Sequence, residues 1–183
     1  QVPLLLALLY FLLCLLYPKA WVGFDREPAY VRLTKTGFET LNADSARLWG
    51  IDFDCGELEH RTAWEIGDLD QDGHIEVAIS PSAATVCTDV AVLHLYDHIG
   101  NLIFERDIPI RSLDTNSLDP FQPAWIRFRQ MNGRPVIVGV AVHSEPTRGH
   151  VRGWSLEGEE VLRYIHQGYV YPWLALGIIL KPL

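Results

Sequence analysis

This chain contains few cysteines and few positively charged residues, and each shortage excludes some classes of function. The 183 residues include 15 lysines and arginines against 23 aspartates and glutamates, which gives a formal net charge of −8. Nucleic-acid binding needs a basic face, so this balance argues against nucleic acid as a partner. The three cysteines form no Cys-x-x-Cys pair, and His-Glu-x-x-His, P-loop, Gly-x-Gly-x-x-Gly and Gly-x-Ser-x-Gly patterns are all missing. We therefore expect binding or scaffolding rather than catalysis.

The histidines are numerous, but their spacing indicates no metal or catalytic site. His94 and His98 are four residues apart, yet they fall on a predicted strand and turn, where that spacing does not place two side chains on one face. We expect surface or hydrogen-bonded strand positions for all seven, which are His60, His74, His94, His98, His143, His150 and His166.

Long apolar runs are also rare, and the most prominent one opens the chain. Val2 to Tyr17 contains no charged residue, and a bilayer crossing takes about 20 residues. Lys19 and Trp21 follow it, as suits a membrane interface. The sequence predicts a single N-terminal transmembrane or signal-anchor segment over residues 1–20. A cleaved signal peptide and a buried core helix are the alternatives.

The most informative stretch is the acidic loop Asp68 to Glu76, which reads DLDQDGHIE. Ca²⁺ takes six to eight oxygen ligands, and short aspartates at alternate positions of a tight loop can converge on one ion. Gly73 permits the sharp turn, because glycine enters positive φ at little cost. The predicted metal ligands are four carboxylates and one backbone carbonyl: Asp68, Asp70, Asp72, Glu76 and the carbonyl of His74.

The residues around this loop exclude an EF-hand. That motif requires a bidentate glutamate at position twelve, and this position is Ile79. The segment from Glu76 to Ser80 alternates and contains β-branched residues, which is typical of a strand. The loop is therefore expected to join two strands.

The stretch from Ile66 to Ile79 resembles the calcium loop of FG-GAP/VCBS repeats. These repeats are the blades of integrin-α-like β-propellers and of many bacterial surface proteins. The resemblance implies a DxDxDGxxE calcium loop that links the first two strands of a four-stranded blade and stiffens the turn. The literal Phe-Gly and Gly-Ala-Pro signatures are absent, and the similarity is confined to this one loop.

Two features bear on the compartment. Lys19, Arg26 and Arg32 follow the apolar run, which by the positive-inside rule favours a cytoplasmic C-terminal side. The calcium loop favours the opposite side, since Ca²⁺ is plentiful outside the cytoplasm and fills even weak sites there. We expect a single-pass membrane protein with an extracytoplasmic β domain. In an oxidising compartment Cys55 and Cys87 could pair, or both could remain free thiols.

An internal repeat of about 55–60 residues organises the chain after the apolar run. Apolar strand, polar turn and apolar strand recur at 41–49, 95–104 and 154–162. Tryptophan recurs with them, and we expect Trp49, Trp64, Trp125 and Trp154 to pack between repeats rather than to bind sugars. One unit is predicted to contain strands near 64–68, 75–80, 90–96 and 102–108.

This unit has the size and strand count of a propeller blade. The β-repeat domain is expected over 21–183, divided into a partial blade at 30–55, blades at 60–110 and 120–167, and the start of another at 168–183. A closed propeller needs at least four blades, so the sequence favours an incomplete propeller and a fragment of a longer protein.

The sequence thus predicts a membrane-anchored, extracytoplasmic, calcium-binding β-repeat module that binds a protein or carbohydrate ligand. Two alternatives remain open at this point. One is the ectodomain of a bacterial transmembrane sensor whose cytoplasmic effector is missing. The other is a fragment of a propeller-fold carbohydrate-active enzyme.

Overall fold

The computed structural model of the chain describes residues 26–53, 62–81, 91–109, 121–143 and 148–167. These ranges contain β-strands and no helix, so the all-β prediction is confirmed for them. None of the described segments forms a helix long and apolar enough to span a bilayer. The predicted anchor at 1–20, the segment 168–183 and the three cysteines all lie outside the described residues.

Each strand pairs antiparallel with its neighbours in the sequence, which produces three meandering sheets. The first sheet contains β1 (Tyr30–Leu33), β2 (Gly37–Leu41) and β3 (Arg47–Asp52). The second contains β4 (Ala63–Gly67), β5 (Glu76–Ser80), β6 (Val92–Tyr96) and β7 (Leu102–Asp107). The third contains β8 (Phe121–Met131), β9 (Arg134–His143), β10 (Arg148–Trp154) and β11 (Glu160–Gln167).

The central strands of the second sheet, β5 and β6, are buried on both faces. Successive side chains of a strand point to opposite faces, and in β5 every residue is buried. Val77 and Ile79 pack in a cluster with Phe38 of the first sheet. Ala78 belongs instead to the cluster that includes Ile126 of the third sheet. The second sheet therefore lies between the other two, and apolar burial on both sides is its main stabilisation.

One turn recurs in all three sheets and matches the repeat seen in the sequence. It joins β2 to β3, β6 to β7 and β10 to β11, and each copy is closed by the same two backbone hydrogen bonds. In each, the first turn residue also accepts a backbone N–H bond four residues on, through Asn42 Oδ1, Asp97 Oδ1 or Ser155 Oγ. By this correspondence β1 to β3 match the second to fourth strands of the other sheets.

The first strands of the second and third sheets lie side by side. Arg127 Nη1 in β8 donates to Glu65 Oε2 in β4 at 2.9 Å. A Cβ built on Gly67 would lie 3.4 Å from the ring of Phe128. These contacts are between side chains and not rungs of a backbone ladder, so β4 and β8 belong to separate sheets that meet along their first strands.

The recurring tryptophans have different environments. Trp154 is fully buried in the cluster between the second and third sheets. Trp49 meets Phe38 edge to face and donates its indole N–H to the carbonyl of His98. Trp64 is 39% exposed. Packing between sheets is therefore confirmed for Trp154 and Trp49. It is wrong for Trp64, which lies on the surface, and for Trp125, which packs against valines of its own sheet.

Candidate metal-binding loop

The acidic loop connects β4 to β5, as its flanking residues predict. Its bend uses two residues with positive φ, Gln71 at 67° and Gly73 at 93°. The aspartates hold the bend by accepting backbone N–H bonds. Asp68 Oδ1 accepts from Asp72 at 3.1 Å, and Asp68 Oδ2 accepts from Gly73 at 3.0 Å. The acids therefore coil the loop around their own side chains.

Three of the predicted ligands converge. Asp68, Asp70 and Glu76 each offer a carboxylate oxygen, and these oxygens lie within 4.8 Å of one another. Asp72 stands beside this group, and its Oδ1 accepts the His74 N–H at 2.8 Å. The His74 side chain turns away to Glu27. Coordination by Asp72 and by the His74 carbonyl stays a prediction.

Glu76 is the buried member of the group, with only 6% of its surface exposed. Its Oε2 accepts the Leu69 N–H at 2.8 Å, which fixes the carboxylate beneath the loop. Burial raises the pKa of Glu76, and the negative charges of Asp70, Asp72 and Asp68 raise it further. The charged form of Glu76 is therefore disfavoured until a cation balances it.

Contacts from β8 and from the segment before β1 hold the loop in place. Gln130 Nε2 on β8 donates to the Leu69 carbonyl at 3.3 Å. Glu27 Oε2, in the segment before β1, accepts the Ile75 N–H at 3.0 Å. Leu69 itself is buried in the cluster between the second and third sheets. The carboxylates are thus carried by a fixed backbone rather than a free loop tip.

This arrangement could hold a metal ion. The donors are all carboxylate oxygens, the class that suits hard cations such as Ca²⁺. An oxygen that accepts one hydrogen bond keeps lone-pair capacity for an ion, so the bonds that coil the loop leave Asp68 available. The ion would supply positive charge to a crowded set of acids and tie the end of β4 to the start of β5.

The third sheet offers a natural comparison at the equivalent connection. There β8 and β9 are joined by Asn132 and Gly133, with φ of 53° and 72°. This tight two-residue turn is favoured by Asn-Gly, because both positions need positive φ. A two-residue turn is too short for acidic residues at alternate positions to converge on one ion, which agrees with the missing DxDxDG pattern in this copy of the repeat.

A neutral residue at position 76 is expected to stabilise the metal-free chain. A carboxyl whose pKa is raised by folding favours the folded state while protonated, and this contribution is lost as the pH rises through that pKa. In Glu76→Gln the amide oxygen can still accept the Leu69 N–H, but the buried charge is gone. The melting temperature without metal should therefore rise near neutral pH, and the increase on adding metal should disappear.

Differential scanning fluorimetry of both proteins with and without metal measures this. Glu159→Gln is the matched control, since Glu159 is an exposed glutamate in the turn between β10 and β11. A Glu76→Gln chain that melts below the wild type in metal-free buffer would contradict the role given to this carboxylate.

A second polar cluster, which sequence reasoning missed, lies beside the loop. Glu27, His74 and His98 each offer one ligand atom, and these atoms lie within 4.8 Å of one another. The hydrogen bond that the Glu27 carboxylate accepts from the ring of His74 raises the pKa of His74. No sequence pattern indicates this cluster, because its members come from three separate segments. The histidine that His98 contacts is His74, rather than His94, which is nearer to it in the sequence.

Comparison with known proteins identifies the fold and no family. No protein-family model matches the sequence. No curated protein matches it. Two solved structures are similar: rhamnogalacturonan lyase YesW, at 15% identity and a TM-score of 0.51, and the PL11 rhamnogalacturonan lyase of Bacillus licheniformis, at 15% and 0.50. Each alignment covers 78% of this chain but only 29% of the lyase chain. At this identity the likeness concerns the fold alone.

Proposed function

We propose that this chain is a calcium-stabilised β-repeat module that acts by binding or scaffolding. The observation that carries the proposal is the convergence of Asp68, Asp70 and Glu76 within 4.8 Å on a fixed loop. We choose calcium as the ion because the donors are hard oxygen atoms, and because a divalent cation balances their negative charge. The role is structural, since the ion would join β4 to β5, the strand of the second sheet in which every residue is buried.

The sheets are interpreted as blades of FG-GAP/VCBS type in a propeller-like arrangement. Support comes from the meander of four strands in the second and third sheets, from the turn that recurs in all three sheets, and from the contact between β4 and β8. Successive blades of a propeller are arranged with their first strands around a central axis. Membrane anchoring through residues 1–20 and an extracytoplasmic β domain complete the proposal.

Calcium calorimetry on the full chain tests the proposal. We expect one calcium ion per chain, and at least a tenfold weaker affinity in Asp68→Asn and Asp70→Asn, because each variant loses a charged ligand. Asp44→Asn is the matched control, since Asp44 is an exposed aspartate in the turn between β2 and β3. A wild-type chain that binds no calcium, or variants that bind it as tightly as the control, would overturn the proposal.

A second candidate is that the module belongs to a carbohydrate-active protein. Both similar structures are rhamnogalacturonan lyases. A cleft of about 400 Å³ between the first and second sheets is lined by Arg26, Arg47 and Trp49, among others. Arginine pairs well with carboxylates, and an indole offers an apolar surface to a sugar ring. Stronger retention by rhamnogalacturonan than by a neutral galactan, lost in Arg47→Ala, would favour this candidate.

A further inference from the structure

The cluster of Glu27, His74 and His98 lies where three segments meet. Glu27 precedes β1, His74 belongs to the acidic loop, and His98 is in the turn between β6 and β7. Glu27 Oε1 lies 2.9 Å from His74 Nδ1. The rings of His74 and His98 are stacked, with centroids 4.1 Å apart and planes at 12°. Two imidazoles and a carboxylate thus occupy one small volume.

The backbone around each member is fixed. Glu27 also accepts the Ile75 N–H at 3.0 Å through its other oxygen. The carbonyl of His98 accepts the indole N–H of Trp49 at 3.0 Å. In the same turn, Gly100 packs on that indole so closely that an added Cβ would lie 2.8 Å from it. The three side chains are therefore presented by anchored segments of the first and second sheets.

The donor set differs in kind from that of the acidic loop. Imidazole nitrogen is a preferred ligand of Zn²⁺ and of related transition metals, whereas Ca²⁺ selects oxygen. Two histidines and one carboxylate form a common three-residue zinc set, with water in the fourth position. The chain thus places a nitrogen-rich group directly beside an all-oxygen group.

We propose that Glu27, His74 and His98 form a second divalent-cation site, selective for Zn²⁺ over Ca²⁺, that joins the segment before β1 to the second sheet. The site goes beyond the structural calcium role, and it does not depend on calcium being bound. The ion would link the first sheet to the second, because Glu27 lies just before β1 of the first sheet and both histidines lie in connections between strands of the second.

Zinc binding requires a specific rearrangement. Ligand atoms around a tetrahedral zinc lie about 3.3 Å apart, given metal–ligand distances of about 2.0–2.1 Å. Glu27 Oε1 and His74 Nδ1 already lie closer than this, at 2.9 Å, so an ion would enter by replacing the hydrogen bond between them. In two parallel stacked rings, the nitrogen lone pairs point in parallel directions and cannot both point at one ion. At least one imidazole must therefore rotate out of the stack. His74 has the freedom to do this, since 49% of its side chain is exposed.

Zinc calorimetry on the full chain, carrying no polyhistidine tag and kept in millimolar calcium, tests the proposal. We expect one zinc per chain, with affinity at least tenfold weaker in His74→Gln, His98→Gln and Glu27→Gln. Ile99→Ala is the matched control, because Ile99 follows His98 in the same turn and is 60% exposed. Cobalt, used in place of zinc, should give the visible absorption of a four-coordinate site in the wild type and lose it in His98→Gln.

The two metal sites are separated by crossed variants. Asp70→Asn should weaken calcium binding at least tenfold and leave zinc binding unchanged, whereas His98→Gln should weaken zinc binding at least tenfold and leave calcium binding unchanged. A wild type that binds no zinc, or a His98→Gln chain that binds zinc as tightly as Ile99→Ala does, would overturn the zinc proposal. Either result leaves the calcium proposal to be judged by its own calorimetry.

Discussion

Removing calcium is expected to lower the melting temperature of the full chain by roughly 5–10 °C. An ion that binds only the folded state, at a free concentration one hundred times its Kd, adds about 2.7 kcal/mol to the free energy of unfolding. For a chain of this length each kcal/mol corresponds to roughly 2–4 °C. Asp70→Ala should reproduce the loss in saturating calcium, because Asp70 is one of the three converging carboxylates.

Thermal unfolding followed by circular dichroism, with calcium or with EDTA, measures this effect. Asp44→Ala is the control, since it removes the same charge from an exposed turn. Magnesium should substitute poorly, because Mg²⁺ demands a near-ideal octahedral site and gives up its water reluctantly. Equal melting temperatures in calcium and in chelator would refute the stabilising role of the ion.

The largest loss of stability from a single substitution is expected for Trp154→Ala, at about 3–5 kcal/mol. Trp154 is fully buried between the second and third sheets. A Cβ on Gly139 would lie 3.2 Å from its ring, so β9 approaches the indole closely. The guanidinium carbon of Arg152 lies 5.2 Å from the ring centroid. Truncation would leave a cavity that these neighbours cannot fill without moving whole strands.

Urea unfolding of Trp154→Ala, followed by far-ultraviolet circular dichroism, gives the size of this effect. Trp64→Ala is the matched control, because Trp64 is 39% exposed and its truncation leaves no enclosed cavity. We expect the control to lose at most about 1 kcal/mol. Should the chain fail to fold, Trp154→Phe provides a milder change at the same position. Similar losses for Trp154→Ala and Trp64→Ala would show that the two sheets do not depend on this indole.

The strands of the second sheet could be predicted from the sequence because short apolar segments alternate with turn-forming residues along this part of the chain. The predicted ranges 64–68, 75–80, 90–96 and 102–108 compare with observed strands Ala63–Gly67, Glu76–Ser80, Val92–Tyr96 and Leu102–Asp107. The recurring turn was also visible, since Asn42, Asp97 and Ser155 begin its three copies. Such side chains hydrogen-bond to nearby backbone, so the local sequence determines the turn.

The acidic loop was predictable for the same reason, since its candidate ligands lie within one short segment. The contacts that hold the loop in place were not predictable. Gln130 and Glu27 reach the loop from distant parts of the chain, and no local pattern encodes such contacts. The pairing of His74 with His98 likewise depends on how β4, β5 and β6 bring two connections to the same end of the second sheet. Neighbours of this kind are set by tertiary packing, which a single sequence does not reveal.

Ladder hydrogen bonds between backbones stay within each described sheet. Neighbouring sheets meet through side-chain packing and a few hydrogen bonds in which one partner is a side chain, such as Trp49 to the His98 carbonyl. A pulling force applied across the chain would therefore meet two kinds of resistance. Shearing a sheet must break many backbone bonds together, whereas parting two sheets separates apolar surfaces, a few hydrogen bonds that involve side chains, and ion pairs such as Arg127–Glu65. Under tension the chain should lengthen in discrete steps, as sheets detach one after another before any of them unravels.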